Sequence, residues 1–204
     1  SSRTVLPILD NFLFELKDGT LTISATDLQT SMTTSLPVES KEDGKIAIPS
    51  KILMETLKTL PDQPITFSID DQTFAIEINA DNGRYKLSGV DGADFPKISL
   101  IENASSVHLP ASVLSEAINK TLFAVSNDEL RPAMTGVYCQ LSPQHITFVA
   151  TDAHKLARYR RKDTKSESVA SFILPKKALV LLKSSLPVED VSVSVEYNNT
   201  SAFF

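Results

Sequence analysis

Two side chains that could support acid–base chemistry lie in the segment Ala150-Thr151-Asp152-Ala153-His154-Lys155-Leu156. His154 carries the side chain that most readily exchanges protons near neutral pH, and Asp152 could orient it. A hydrolase would also need an activated nucleophile, and no serine or cysteine is paired with a base in this sequence. The other histidines, His108 and His145, lie in unrelated segments. A small hydrolase using His154 and Asp152 is therefore an alternative, and a non-catalytic role is favoured.

The triplet Ala150-Thr151-Asp152 recurs as Ala25-Thr26-Asp27, and the two copies lie 125 residues apart. Each copy follows a short apolar run that alternates as a strand does. The residues after the triplet differ, because Leu28 follows one copy and Ala153-His154 follows the other. We therefore predict that both aspartates are turn or cap residues. His154 could then be a structural turn residue, and the divergent tail of the second copy suggests a function specific to that copy.

Composition limits the classes to which the protein can belong. A length of 204 residues allows one large domain or two of about 100 residues each. No apolar run approaches the roughly 20 residues that span a bilayer, so no membrane partner is expected. The single cysteine, Cys139, lies in an alternating pattern and is predicted to be a buried, inert thiol in a reducing compartment. No metal or cofactor is predicted, because neither a second histidine cluster nor a glycine-rich phosphate loop is present.

Three prolines that follow short apolar runs predict the starts of three helices. Proline suits the first helical turn, where its missing N–H has no partner, and an apolar stripe follows each proline. The predicted helices are 49–61, 110–127 and 175–187. Each is preceded by a short strand and followed by up to three more, so the sequence predicts repeated β-α-β-β-β half-modules of the α+β class. Two half-modules make a module of about 125 residues, the spacing of the repeated triplet.

Segments with apolar alternation are predicted to be strands, and turn residues mark a domain boundary. A polar, turn-rich stretch after residue 90 places this boundary near Asn103, which gives domains 1–103 and 104–204. The half-period also predicts that the first helix of module one and the closing strands of module two lie outside this chain. The predicted strands are 8–16, 20–24, 30–38, 45–48, 65–69, 73–79, 84–90, 107–109, 131–141, 146–150, 156–160, 171–174 and 191–195.

Charge is distributed unevenly between the helices and the rest of the chain. The formal net charge is −5, yet the three predicted helices carry six lysines and two acids. A lysine-rich helix face is either a solvated surface or a surface that meets phosphates without reading bases. The lysines are Lys51, Lys58, Lys120, Lys176, Lys177 and Lys183.

Several spaced motifs resemble the family of bacterial sliding clamps, the beta subunits of DNA polymerase III. They include Leu6-Pro7-Ile8-Leu9, the Asp18-Gly19 hairpin and Ala93-Asp94-Phe95-Pro96. Residues 150–157 resemble the family's most recognisable motif, which usually carries glycine at the position of Ala153 and arginine at that of Lys155. The resemblance covers nearly all 204 residues.

The resemblance implies a DNA clamp fold with helices on one face of antiparallel sheets. It implies three domains per subunit and a head-to-tail homodimeric ring around duplex DNA, of which this chain would hold most of domains one and two and none of domain three. Such a clamp is a non-enzymatic, cytoplasmic processivity factor for the replicative polymerase. Its partners would be replicative and repair polymerases and the clamp loader, bound through short peptide motifs. A clamp-like peptide-binding adaptor that never encircles DNA is an alternative.

The resemblance also assigns site residues. The peptide groove would be lined by Met134, Thr151, Ala153, His154, Lys155 and Leu156. The DNA-facing residues would be Arg3, Arg131, Lys176 and Lys177, joined by the helix lysines Lys51, Lys58, Lys120 and Lys183. An edge strand of domain one would form the subunit interface, with Tyr85 and Leu87 on one face and Arg84 and Lys86 on the other.

Overall fold

The computed structural model describes residues 6–81, 83–98, 101, 103–198 and 200–204. The chain divides after Ile98 into two compact units, unit 1 (residues 1–98) and unit 2 (residues 99–204). This division falls within the polar, turn-rich stretch from which the sequence predicts a boundary near Asn103.

Unit 1 is built from antiparallel strands and one α-helix within its described residues. A five-stranded sheet has the order β3-β2-β1-β4-β8, and a three-stranded sheet has the order β5-β6-β7. The elements are β1 (Asn11–Lys17), β2 (Thr20–Thr26), β3 (Ser31–Pro37), β4 (Gly44–Pro49), α1 (Ser50–Lys58), β5 (Thr66–Ile69), β6 (Ala75–Ala80), β7 (Gly83–Ser88) and β8 (Val90–Asp91).

The main core of unit 1 lies where α1 meets strands of both sheets. Leu53 is the buried residue of α1, and it joins a cluster with Ile48 of β4 and Ile76 and Ile78 of β6. Burying each such side chain stabilises the fold by about 1.5–3 kcal/mol. Of the apolar stripe predicted for this helix, Leu53 is buried and Leu57 packs against the core, whereas Ile52 is 51% exposed. Lys51 and Lys58 are exposed as well.

Unit 2 repeats this arrangement with two α-helices in its described residues. A four-stranded sheet has the order β12-β11-β10-β13, and a three-stranded sheet has the order β15-β14-β9. The elements are β9 (Ser105–Pro110), α2 (Ala111–Thr121), β10 (Gly136–Leu141), β11 (Ile146–Thr151), β12 (Leu156–Arg161), β13 (Ala170–Pro175), α3 (Lys176–Ser185), β14 (Ser192–Tyr197) and β15 (Ala202–Phe203).

A single core joins the two helices of unit 2 to both of its sheets. Leu114 and Ile118 of α2 and Leu179 of α3 pack in one cluster with strand residues such as Phe148 and Val195. The two helices are neighbours, as the repeat predicts. The α+β prediction, with antiparallel sheets, is confirmed.

The helix predicted at 110–127 is shorter than the sequence suggested. It ends at Thr121, whose buried hydroxyl donates to the Ala117 carbonyl at 2.6 Å, and a 3₁₀ turn (Leu122–Ala124) follows. A hydroxyl bonded back to the helix backbone competes with the regular helical pattern. The backbone of Val125 is extended. The apolar spacing that predicted the helix therefore continues beyond Thr121, where the helix ends.

Two predicted strands begin later than expected. The strand predicted at 131–141 begins at Gly136, because Pro132–Met134 form a 3₁₀ turn closed by the Met134 N–H on the Arg131 carbonyl at 2.8 Å. The strand predicted at 8–16 begins at Asn11, after a 3₁₀ turn at Pro7–Asp10. In both cases a proline fixes φ for a helical turn and lacks the N–H that a ladder needs.

Candidate functional site

The two copies of the Thr-Asp pair form the same turn at the same place in each unit. Asp152 Oδ1 accepts from the N–H groups of His154 at 3.1 Å and Lys155 at 2.9 Å. Asp27 Oδ1 accepts from the equivalent N–H groups of Gln29 and Thr30, at 3.0 and 2.7 Å. The prediction that both aspartates are turn residues is confirmed.

The preceding threonine closes each turn from the other side. Thr151 Oγ1 donates to the Lys155 carbonyl at 2.7 Å and accepts from the Ala153 N–H at 3.1 Å. The hydroxyl of Thr26 makes the matching pair of contacts with Thr30 and Leu28. These bonds force the residue after each aspartate into the left-handed region, with φ of 74° at both Leu28 and Ala153. A side chain at such an angle is strained, which explains why glycine would suit this position.

The hydrogen bonds of the Asp152 carboxylate determine whether this turn can support acid–base chemistry. Lys155 Nζ donates to Asp152 Oδ2, and the turn amides bind Oδ1. These bonds, that of the Lys155 ammonium first, hold the pKa of Asp152 well below its usual range. A carboxylate with so low a pKa is a weak proton acceptor. Both carboxylate oxygens of Asp152 bind turn amides or Lys155. Among the described contacts, the imidazole of His154 therefore has no carboxylate partner.

The backbones of β10 and β13 approach closely, which brings the loop of residues 125–135 beside the start of α3. A Cβ added to Gly136 would lie 2.4 Å from the Leu174 carbonyl oxygen, so only glycine lets β10 reach the end of β13. There the Lys176 N–H donates to the Thr135 carbonyl at 3.2 Å. Lys176 Nζ donates to Asn127 Oδ1 at 2.8 Å, which ties the start of α3 to the loop of residues 125–135.

The turn, this loop and the start of α3 surround one depression of about 460 Å³, which we call the unit 2 depression. It contains three cationic side chains, of which two are paired locally: Arg131 with Asp128 at 3.4 Å and Lys155 with Asp152. Lys176 contacts only a neutral amide among the described residues. The lining residues are Leu122, Phe123, Val125, Ser126, Asn127, Asp128, Arg131, Asp152, His154, Lys155 and Lys176.

The structure therefore brings together residues that the resemblance assigns to two different sites. His154 and Lys155 of the predicted groove share the depression with Arg131 and Lys176 of the predicted DNA-facing set. The other predicted groove residues do not line it. Thr151 is used by the turn, Ala153 and Leu156 are exposed, and Met134 is half-buried with its carbonyl bonded to the Ser126 N–H at 2.9 Å.

The remaining predicted DNA-facing residues lie mainly on helix surfaces. Lys177 and Lys183 are exposed on α3, which carries no acid, and Lys120 is exposed on α2. Arg3 lies outside the described residues.

Lys120 differs from the lysines of α3 because it belongs to a charge network around Glu116. The Glu116 carboxylate lies 3.8 Å from Lys120 Nζ and 3.6 Å from Arg161 Nη1 of β12. The Tyr159 hydroxyl donates to the same carboxylate at 2.5 Å, and this bond chiefly holds the pKa of Glu116 below its usual range. Sequence reasoning missed this network, because its members come from α2 and β12 and lie over forty residues apart.

The predicted interface strand is β7, an edge strand of its sheet in unit 1. The alternation is as predicted, with Arg84 and Lys86 exposed. Tyr85 and Leu87 are half-buried and pack against the core of unit 1 with part of each side chain. Lys86 Nζ lies 3.9 Å from Glu77 Oε2 on the neighbouring strand.

Two further features escaped the sequence reading. Phe123 is 66% exposed at the rim of the unit 2 depression, because α2 ends before it. Arg158 and Arg160 are exposed on β12, on the same face as Leu156, and form no ion pair with any described residue. The period-two spacing of these three residues is a signal that the sequence does contain.

Several chemistries find no support in the described residues. Burial raises the pKa of the Cys139 thiol to about 12, as expected of an inert thiol. Within the ranges that the structure covers, no group of three His, Cys, Asp or Glu side chains is arranged to hold a metal ion. No α-helix in those ranges is long and apolar enough to cross a membrane.

Comparison with known proteins gives the same result for both units. Residues 1–99 match the family described as "DNA polymerase III beta subunit, N-terminal domain", and residues 108–203 match "DNA polymerase III beta subunit, central domain". The beta sliding clamp of Synechococcus elongatus is 29% identical over all of this chain and 56% of its own length. The chain thus spans about half the length of the curated relatives it matches.

Solved structures agree and confirm the predicted clamp fold. The DNA polymerase sliding clamp from Bacillus subtilis superposes with a TM-score of 0.91 at 26% identity, over 99% of this chain and 55% of that one. A sliding clamp from Pseudomonas aeruginosa bound to griselimycin has a TM-score of 0.88 at 26% identity, over 98% and 54% of the two chains.

Proposed function

Because the chain belongs to the family of DNA polymerase III beta subunits, we propose that it forms part of a sliding clamp that keeps the replicative polymerase on duplex DNA. The observation that carries this proposal is that both structural units match successive domains of that one subunit. The clamp acts in the cytoplasm, where bacterial DNA is replicated, and it is a non-catalytic processivity factor.

The clamp holds DNA by topology and needs only weak contacts with it. A closed ring cannot leave circular DNA, so sequence-independent phosphate contacts suffice and allow sliding. The lysines of α3 suit such contacts, because Lys176, Lys177 and Lys183 stand on a helix without acids. Lys51 and Lys58 of α1 are exposed in the same manner on unit 1. Arg3, Arg131 and Lys120 complete the proposed set.

The second activity we propose is the capture of partner peptides from polymerases, repair proteins and the clamp loader. The groove would use the turn residues Thr151–Lys155 together with Leu156 and Met134. The long side chains of Met134 and Lys155 give it adaptable apolar walls. A related clamp was solved bound to griselimycin, which supports a ligand-binding site in this family.

The assembly we propose is a homodimeric ring that uses the β7 edge of unit 1. The contacts available are the backbone edge of β7, the charges of Arg84 and Lys86, and the exposed parts of the half-buried Tyr85 and Leu87. An edge strand with unpaired backbone groups readily accepts another strand.

The hydrolase alternative lacks the chemistry it would need. The lowered pKa of Asp152 opposes a role as base. Its carboxylate is bonded to turn amides and to Lys155, and no described contact joins it to the imidazole of His154. Buried Cys139 cannot serve as a nucleophile because burial opposes its ionisation.

The topological mechanism predicts how the protein leaves DNA. Joined to the third domain that the resemblance implies and loaded by a clamp loader onto a nicked circular plasmid, the protein should stay bound through gel filtration and dissociate once a restriction enzyme linearises the plasmid. Equal loss from circular and linear DNA would contradict encirclement and favour the peptide-binding adaptor.

The groove is tested separately with a short fluorescent peptide that ends in two leucines. Met134→Ala should weaken its binding by up to about tenfold, because the apolar wall recedes. Val180→Ala on α3 is a matched control, since this exposed apolar residue lies outside the groove. Unchanged affinity in the Met134 variant would place the peptide elsewhere.

A further inference from the structure

Strand β12 continues from the proposed groove as a row of exposed side chains. Leu156, Arg158 and Arg160 alternate with Ala157, Tyr159 and Arg161, of which Ala157 and Tyr159 pack against the core of unit 2. Since side chains i and i+2 share a face of a strand, the first three lie in one line, about 7 Å apart. Leu156 is 66% exposed and forms the apolar end of this line.

The basic residues of this strand divide into two groups with different partners. Arg161 faces α2 and is engaged by Asp163, Tyr159 and Glu116. Arg160 donates from Nε to Thr147 Oγ1 at 3.0 Å, which orients its guanidinium and leaves both terminal nitrogens without a described partner. Arg158 lies opposite Val149 and makes no ion pair with a described residue. Two arginines on this face are therefore available to an external acceptor.

The rest of this sheet face carries no charge in its described strands. The side chains beside the arginines are Thr147 and Val149 of β11, Tyr138 and Gln140 of β10, and Ser171 and Ile173 of β13. The cationic character is thus confined to the edge strand that begins at Leu156. An anion bound there would meet two arginines and no acid on the strands of this face.

We propose that β12 extends the peptide groove and binds an acidic segment next to the apolar residues of a partner peptide. The inference rests on the proposed groove and adds a class of partner, peptides in which glutamate or aspartate adjoins the apolar residues. Leu156 contacts the apolar part, and Arg158 and Arg160 bind the carboxylates. A nucleic acid fits this row less well, because nucleic-acid sites gather many phosphate contacts and this face offers two arginines.

Two peptides of equal length test the proposal by fluorescence anisotropy near physiological salt. Both carry a pair of leucines, flanked on each side by glutamates in one peptide and by glutamines in the other, so that no binding direction is assumed. The native chain should bind the glutamate peptide about three- to tenfold more tightly, as expected for two exposed charge pairs. Equal affinity for the two peptides would overturn the proposal and leave the arginines as protection of an edge strand.

Variants locate the effect. R158Q/R160Q should abolish the difference between the two peptides, and R158Q alone, which touches no described polar group, should reduce it. K17Q/K41Q removes the same charge from exposed positions in unit 1 and should preserve the difference. A difference that survives in R158Q/R160Q would overturn the proposal, as would a larger loss of DNA binding than of glutamate-peptide binding in that variant.

The variant Leu156→Ala separates this inference from the groove on which it rests. Leu156→Ala should weaken both peptides equally, because it shortens the shared apolar contact. If Leu156→Ala changes neither affinity, the groove is placed wrongly, and this extension of it fails as well. If Leu156→Ala weakens both peptides but the native chain does not distinguish them, only the acidic extension fails.

Discussion

Among single residues, the repeated Thr-Asp pair forms the same hydrogen-bonded turn in both units. In each copy a threonine and an aspartate bind the backbone of the next residues and hold one residue at a φ of 74°. The turn geometry is therefore set before His154 and Lys155 contribute anything specific. Unit 1 keeps the geometry with Leu28 and Gln29, which carry a different chemistry.

Replacing Ala153 with glycine should stabilise unit 2. Glycine adopts a positive φ without the strain that Ala153 bears, so the free energy of unfolding should rise by about 0.5–1 kcal/mol. Ala157→Gly is the matched control, because this position lies in a strand, where glycine should lower stability by a similar amount. Denaturant titration measures both. A destabilised Ala153→Gly protein would show that the methyl group makes a contact worth more than the strain.

The Asp152 carboxylate should make stability depend on acid pH. Its pKa is lowered in the folded state, so its contribution to the free energy of unfolding is present above the unfolded pKa of about 4 and is lost as pH falls through the folded value. The stability difference between the native chain and Asp152→Asn should therefore be largest at neutral pH and shrink in acid. Asp62→Asn removes the same charge from an exposed position and is the matched control. A difference that is constant with pH would contradict the account.

At the scale of elements, α2 and α3 differ in charge although they share one core. The only charged residues of α2 are Glu116 and Lys120, which pair with each other, and Arg161 of β12 joins them. Helix α3 carries three lysines and no acid. Contact with phosphates should thus be stronger at α3, with Glu116 limiting the contribution of α2.

Replacing Glu116 with glutamine should strengthen binding to duplex DNA. The substitution frees Lys120 from its ion pair, whereas Arg161 stays bound to Asp163. The slope of log K against log salt should therefore steepen by roughly one unit. Glu196→Gln removes the same charge from β14, at an exposed position that alternates with the core residues Val195 and Tyr197, and should change the slope less. Equal slopes for the two variants would show that Glu116 does not restrain DNA contact.

Helix starts were predictable from the sequence because the side-chain pattern and the backbone preference of proline indicate the same position. Proline and an apolar stripe located the start of each helix, since both act locally. The end of α2 was missed because Thr121 bonds back to Ala117 and the apolar pattern simply continues into a 3₁₀ turn. Phe123 follows this early end and is exposed at the unit 2 depression.

At the scale of the whole molecule, the repeat and the motifs were enough to predict the family. They could not show that residues of the predicted groove and of the predicted DNA-facing set share one depression, because Arg131, His154 and Lys176 come from separate segments. Their proximity depends on the pairing of β10 with β13, which requires glycine at position 136. Neither the spacing of motifs nor the composition of the sequence predicts the close approach of Gly136 to the Leu174 carbonyl.

We propose that the helix lysines hold duplex DNA through phosphates without reading its sequence. The most direct measurement is the salt dependence of duplex DNA binding for the native chain and for Lys176→Ala/Lys177→Ala. Loss of these contacts should reduce the magnitude of the slope of log K against log salt by roughly one to two units, equally for unrelated DNA sequences. Lys17→Ala/Lys41→Ala removes the same charge from exposed positions outside the proposed set and should leave the slope unchanged. An unchanged slope in the Lys176/Lys177 variant would contradict the account.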